Sequence, residues 1–170
     1  FSCQNDSQKA IYVNPSELPE VVVHIKRYGE ALFTIDTNRF SEGLREIQTD
    51  FSYFLDADLD DSANIQQLYS FVTDSKTKRL FKESMDIYPN LETLEAVLSD
   101  AFSRYLYFFP ENTIPFVYTY ISDMYYEHPI QLKDSVMVVA LDVYLGKDFF
   151  LYPYLGLPQY KIRCMAPEYL

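Results

Sequence analysis

Apolar residues along this chain keep one rhythm up to Pro110 and another after it. Before Pro110 they recur every three or four residues: Phe40, Leu44, Ile47, Phe51, Phe54 and Leu55, then Ile65, Leu68, Tyr69 and Val72. Leu80, Phe81 and Met85 follow, and then Leu94, Val97, Leu98, Phe102, Tyr105 and Leu106. Such spacing lines one face of a helix. Residues able to cap stand at the starts: Asp36 or Thr37, Ser62, Asp74 or Ser75, and Asn90. Pro110 ends the fourth segment, because it can neither donate a backbone hydrogen bond nor fit the helical turn.

After Pro110 the apolar residues run together. Phe116–Ile121 and Val136–Leu141 read as strands. Six consecutive apolar residues at Val136–Leu141 need cover on both faces, which predicts a central strand. Tyr125–Ile130 predicts an irregular or edge strand, and Val21–Ile25 a strand ahead of the helices. Two proline-bearing turns, at Pro153 and Pro158, lead to a short amphipathic segment around Ile162 and Met165. Helices followed by strands predict an α+β fold, with an N-terminal helical cluster packed on a small, mostly antiparallel sheet formed largely by the C-terminal third. Residues 1–18, with their Ser, Asn, Gln and Pro15, are expected to be a flexible N-terminal tether. Residues 19–170 form the single domain, with no internal repeat.

The chain of 170 residues is 48 % hydrophobic and 23 % charged, enough apolar material for one packed core. Its net charge of −11 repels phosphate backbones and there is no basic stripe, so nucleic-acid binding is disfavoured. No apolar run is long enough to span a bilayer, so any membrane attachment is peripheral or covalent. Tyrosine and phenylalanine are abundant, 16 and 13 residues, with no tryptophan. Tyrosine joins apolar area to a polar tip, which suits half-buried and interface positions.

Catalytic patterns are missing from this sequence. A zincin-type metal site needs two histidines one helical turn apart with a glutamate between them. Here His24 and His128 stand far apart, neither with such a partner. No Gly-x-Ser-x-Gly occurs, and four glycines make no phosphate-cradling loop. Asp56, Asp58 and Asp60 alternate as in a calcium loop, but Asp61 replaces the turn glycine and Gln67 the bidentate glutamate. A solvated acidic loop leading into a capped helix is the favoured reading, and no cofactor is expected. Asp142 sits where the apolar strand ends. A carboxylate there is catalytic or a ligand in some proteins; capping a turn or accepting a buried hydrogen bond is the favoured role. Tyr152, Tyr154 and Tyr160 form an aromatic-proline cluster, by default core, with a partner surface as the alternative. Cys164 is expected to be buried beside Met165.

The start, Phe1-Ser2-Cys3-Gln4-Asn5, places a small residue before a cysteine and a polar stretch after it. That is what remains when a bacterial lipoprotein signal is cleaved, and Cys3 is then the acylation site. A free thiol, or a disulfide to Cys164, are the other readings of the same residue.

Several strings together resemble the gliding-motility lipoprotein B family of Bacteroidetes. They are Arg27-Tyr28 with Leu32-Phe33-Thr34-Ile35-Asp36, then Ala101-Phe102-Ser103-Arg104-Tyr105 leading to Phe109-Pro110 and Ile114-Pro115. Asp142-Val143-Tyr144-Leu145-Gly146 and Leu157-Pro158-Gln159-Tyr160 complete the order. The resemblance implies a lipid anchor at Cys3 and a place in the cell envelope, periplasmic or at the outer membrane. It further implies a non-catalytic structural or interaction role in gliding-motility or export machinery, with envelope proteins as partners. The family is also distantly similar to zincin-type metallopeptidases. That implies a second reading, a peptidase whose metal-binding helix is degenerate or absent from this chain. A ligand-binding module lined by the tyrosines is a third.

Overall fold

A computed structural model of the chain describes residues 14–170. Strand β1 (Ile25–Arg27) comes first, followed by helices α1 (Tyr28–Phe33), α2 (Phe40–Gln48), α3 (Ser62–Thr73), α4 (Ser75–Ile87) and α5 (Glu92–Phe108). Strands β2 (Phe116–Tyr120), β3 (Ile130–Lys133) and β4 (Val136–Ala140) follow, and then the short helix α6 (Gln159–Arg163). Helices thus gather in the first part of the chain and strands in the second, an α+β arrangement.

Aspartates cap two of the helices, α3 and α4. Oδ1 of Asp61 accepts the Ala63 N–H at 2.9 Å ahead of α3. Oδ1 of Asp74 accepts the N–H groups of Lys76 and Thr77 at 2.8 and 3.1 Å ahead of α4. These donors hold the Asp74 carboxyl below its usual range. Each cap satisfies N–H groups that have no partner inside the helix. The cap of α3 is therefore Asp61, one residue before the expected Ser62. The helix expected from Phe40 to Leu55 ends at Gln48. Phe51, Phe54 and Leu55 lie in turns beyond it, where Phe54 stacks on Tyr28 with centroids 4.1 Å apart.

The four strands run in the order β1-β2-β4-β3. β1 pairs parallel to β2 and β2 parallel to β4; only β3 and β4 are antiparallel. The expectation of a mostly antiparallel sheet is corrected: the sheet is mixed, with two of its three pairings parallel. The reason is the connection. Five of the six helices, α1–α5, lie between β1 and β2, which gives the long crossover that a parallel pairing needs. β4 is central, as its six-residue apolar run requires, with Val138, Val139 and Ala140 all buried. Leu141, the last residue of that run, already belongs to a 3-10 turn, Leu141–Val143.

The expected strand at Val21–Ile25 begins only at Ile25. The N–H groups of Val23 and Ile25 go instead to side chains of α5, to Ser99 Oγ at 3.0 Å and Glu95 Oε1 at 2.8 Å. α1 meets the sheet at a glycine. A Cβ on Gly29 would lie 3.2 Å from both the backbone N and the Cγ1 of Ile121, a contact tight enough that a side chain there would push helix and sheet apart by a few tenths of an ångström.

Two apolar clusters make the interior. One joins Leu44, Leu55, Leu59 and Val72 under the first helices. The other joins Leu80, Val139, Leu141, Val143 and Tyr152 beneath the C-terminal turns. Phe33, Phe71 and Tyr120 pack against both and bridge them.

Candidate functional site

Asp142 is the most buried charged residue described, with no exposed surface. It sits in the 3-10 turn leaving β4, facing the loop that leaves β2. Its Oδ1 accepts the Ser122 N–H at 2.9 Å, and its Oδ2 accepts the Met124 N–H at 2.7 Å. Ser122 Oγ lies 3.0 and 3.1 Å from the two oxygens and accepts the Tyr125 N–H at 3.0 Å. The loop needs such a fastening. Asp123 and Met124 both adopt left-handed backbone, φ 59° and 67°, which side-chain-bearing residues avoid. A Lys76–Asp123 ion pair of 2.7 Å holds the outside of the same loop. Burial pushes the Asp142 carboxyl above its usual range, while the N–H groups of Met124 and Ser122 pull it back.

Downstream, two tyrosine hydroxyls fasten the backbone of Val143–Leu145. Tyr88 OH donates to the Tyr144 carbonyl at 2.6 Å. Tyr152 OH accepts the Leu145 N–H at 2.8 Å and lies 2.9 and 3.2 Å from the carbonyls of Val143 and Met165. Burial raises both phenols above their usual range. Gly146 then turns at φ 101°, and its N–H reaches the Met165 carbonyl at 2.9 Å.

The three tyrosines of the aromatic-proline cluster, core by default and a partner surface in the alternative reading, therefore separate. Tyr152 is 0 % exposed and belongs to the core; its hydroxyl is held by backbone on three sides, so it forms no partner surface. Tyr154 is 84 % exposed and Tyr160 67 % exposed. They project from the 3-10 turn Tyr152–Leu155 and from α6, and Tyr152 holds the backbone just after α6 at Met165. Beside Tyr160 lies a shallow depression of about 260 Å³, lined by Tyr126, Pro129, Tyr144, Leu157 and Met165.

The family model for gliding motility protein GldB matches residues 8–170. The chain belongs to this family. No curated protein and no solved structure matches it. The match covers Arg27-Tyr28, the Phe-Pro turn and the Asp142–Gly146 exit alike, so the fastenings just described lie inside the GldB unit. No described helix of this GldB-family chain is long and apolar enough to cross a membrane. Cys3 lies outside the described residues.

The remaining candidates fall elsewhere. In the acidic loop, Asp58 Oδ1 accepts the Asp60 N–H at 2.8 Å. Arg45 Nη2 donates to Asp60 Oδ1 at 2.8 Å and to the Leu59 carbonyl at 3.1 Å. The guanidinium thus takes one carboxylate oxygen of the loop, Asp60 Oδ1. Asp56, Asp58 and Asp60 do not converge into a metal-holding group among the described residues. His24 is exposed ahead of β1, and His128 is exposed with its ring 5.9 Å from that of Tyr125. Cys164 is exposed rather than buried, because α6 turns its opposite side, Ile162 and Met165, into the core. A groove of about 720 Å³ runs between the start of α5 and residues 167–170 and includes none of the three cluster tyrosines.

Sequence reasoning missed Ser122, Met124 and Tyr88, which do most of the fastening. Nothing in their spacing marks them, since each acts through a contact made only in the folded chain. Arg27 was visible only as part of a family string. It donates to the carbonyls of Tyr88 and Pro89 at 2.6 and 3.0 Å, tying β1 to the turn between α4 and α5.

Proposed function

We propose that this GldB-family chain is a non-catalytic cell-envelope lipoprotein and an interaction component of gliding-motility or protein-export machinery. Acyl chains on Cys3 hold it to the membrane, and Tyr154 and Tyr160 contact an envelope protein partner. One acyl chain binds only marginally, at about 0.8 kcal/mol per buried methylene, so the anchor requires more than one. Residues 1–18 act as the tether and residues 19–170 as the body that meets the partner.

One observation carries the non-catalytic half of this reading. Asp142, the carboxylate best placed by sequence to do chemistry, is fully buried, and its oxygens are occupied by Ser122 and Met124. A general acid or base must reach a substrate proton at hydrogen-bond distance, and this one faces the loop that leaves β2. Exposed aromatics mounted on fastened turns support the interaction half, because tyrosine supplies contact area at little entropic cost.

Membrane attachment through Cys3 is tested by fractionating cells that express the full precursor and its Cys3→Ala form. The unaltered protein is expected in the membrane fraction and the variant in the soluble fraction. Equal partition of the two into membranes would remove the anchor from the account.

A further inference from the structure

The sheet treats its two edges differently. Beside β1, α5 lies along the edge and its Ser99 and Glu95 side chains take the N–H groups of Val23 and Ile25. β3 forms the opposite edge, and no strand lies beyond it among the described residues. All of its four residues are exposed, Ile130 by 43 % and Leu132 by 64 %.

The ladder tells which backbone groups face outward. The Ala140 N–H reaches the Pro129 carbonyl at 2.8 Å, which makes Pro129 and Ala140 a hydrogen-bonded pair. Pairs of this kind alternate along antiparallel strands. With Ile130 opposite Val139 and Leu132 opposite Met137, those two positions are the non-bonded ones. Ile130 and Leu132 therefore point their N–H and C=O groups away from β4. The two residues with open backbone groups are also the two apolar residues of the strand. Edge strands are usually guarded by proline, charge or a bulge at such positions.

We propose that β3 pairs with β3 of a second copy of this chain, antiparallel about a two-fold axis through Gln131. Ile130 of one copy then lies opposite Leu132 of the other, twice. The outward groups exchange about four hydrogen bonds. The apolar side chains become cross-strand neighbours on one face. The pairing is isologous, so it closes at two copies. Charge selects the direction. Between Asp123 and Asp134 the one basic residue is Lys133, while Glu127 lies at the other end of the strand. Neither makes an ion pair among the described residues. Antiparallel pairing brings Lys133 of each copy towards Glu127 of the other; parallel pairing would set like charge against like.

Two cysteine positions test the register in the full chain carrying Cys3→Ser and Cys164→Ser. Gln131→Cys sits on the axis and should form a disulfide-linked dimer under mild oxidation. Ser135→Cys lies well off the axis and should stay monomeric. In sedimentation equilibrium the mass of the chain without added cysteines should rise with concentration above the 20.0 kDa of one copy. Leu132→Pro removes an outward N–H that the β3–β4 ladder does not use, so it should hold the mass at one copy. The proposal is overturned by a mass that stays at one copy at all concentrations, or by equal cross-linking at both positions. It is also overturned if the Ile130 and Leu132 amides resist hydrogen exchange in a monomer, since residues 1–13 or another segment would then cover the edge.

Discussion

Oδ2 of Asp142 accepts the backbone N–H of Met124 at 2.7 Å, across 18 residues of sequence. The contact holds the exit of β2 against the exit of β4 and keeps Met124 in left-handed backbone, which costs about 1 kcal/mol or more without support.

Asp142→Asn should fold but be less stable. The carboxylate oxygens accept two backbone N–H groups, and an amide offers only one oxygen. One buried donor loses its acceptor, at a cost of about 1–3 kcal/mol. The cost should depend on pH. Burial raises the Asp142 carboxyl above its usual value near 3.8, so the folded state binds a proton that the unfolded state has released. That contribution is fully present below the unfolded value and is lost as pH rises through the raised one. The stability difference between wild type and variant, read from urea unfolding between acid and neutral pH, should shrink as pH rises. A difference that grows with pH contradicts the upward shift.

Val139→Asp should be severely destabilising. Val139 is 2 % exposed in the central strand, opposite Thr119 on one side and Ile130 on the other. An unpaired carboxylate there costs about 3–5 kcal/mol. Chemical unfolding is the measurement, and a loss below about 1 kcal/mol would remove β4 from the interior.

Tyr152→Phe should keep the ring packing and lose the hydroxyl that accepts the Leu145 N–H. The expected loss is about 1–3 kcal/mol, with faster hydrogen exchange at the Leu145 amide. An unchanged exchange rate would show that the hydroxyl does not hold this segment.

Local signals in the sequence were informative where neighbours decide the outcome. Asp74 capped α4 as its position required, and Pro110 closed α5 within two residues. The six apolar residues from Val136 placed β4 at the centre of the sheet. Distant contacts left no such trace. β1 pairs Ile25 with Val117, some ninety residues away, and nothing in either string sets a parallel direction. α1 was hidden by its length and by Gly29, a poor helix former retained for its close approach to Ile121. At the candidate site, Asp142 was legible as a strand-end carboxylate. Its partners were not, because Ser122 and Met124 reach it only through a left-handed loop. Tyr152, Tyr154 and Tyr160 look alike in sequence, and only the turn at Tyr152–Leu155 sends the first inward and the second outward.

In the proposed function, this protein works through an exposed aromatic surface, Tyr154 and Tyr160, on a tethered body. Colony spreading tests it most directly, in a gliding bacterium whose own family member has been deleted and replaced by this chain. The unaltered chain should restore spreading. The Tyr154→Ala/Tyr160→Ala form should fail to restore it while keeping wild-type melting temperature, abundance and membrane fractionation. Full spreading with the doubly substituted chain would contradict the account.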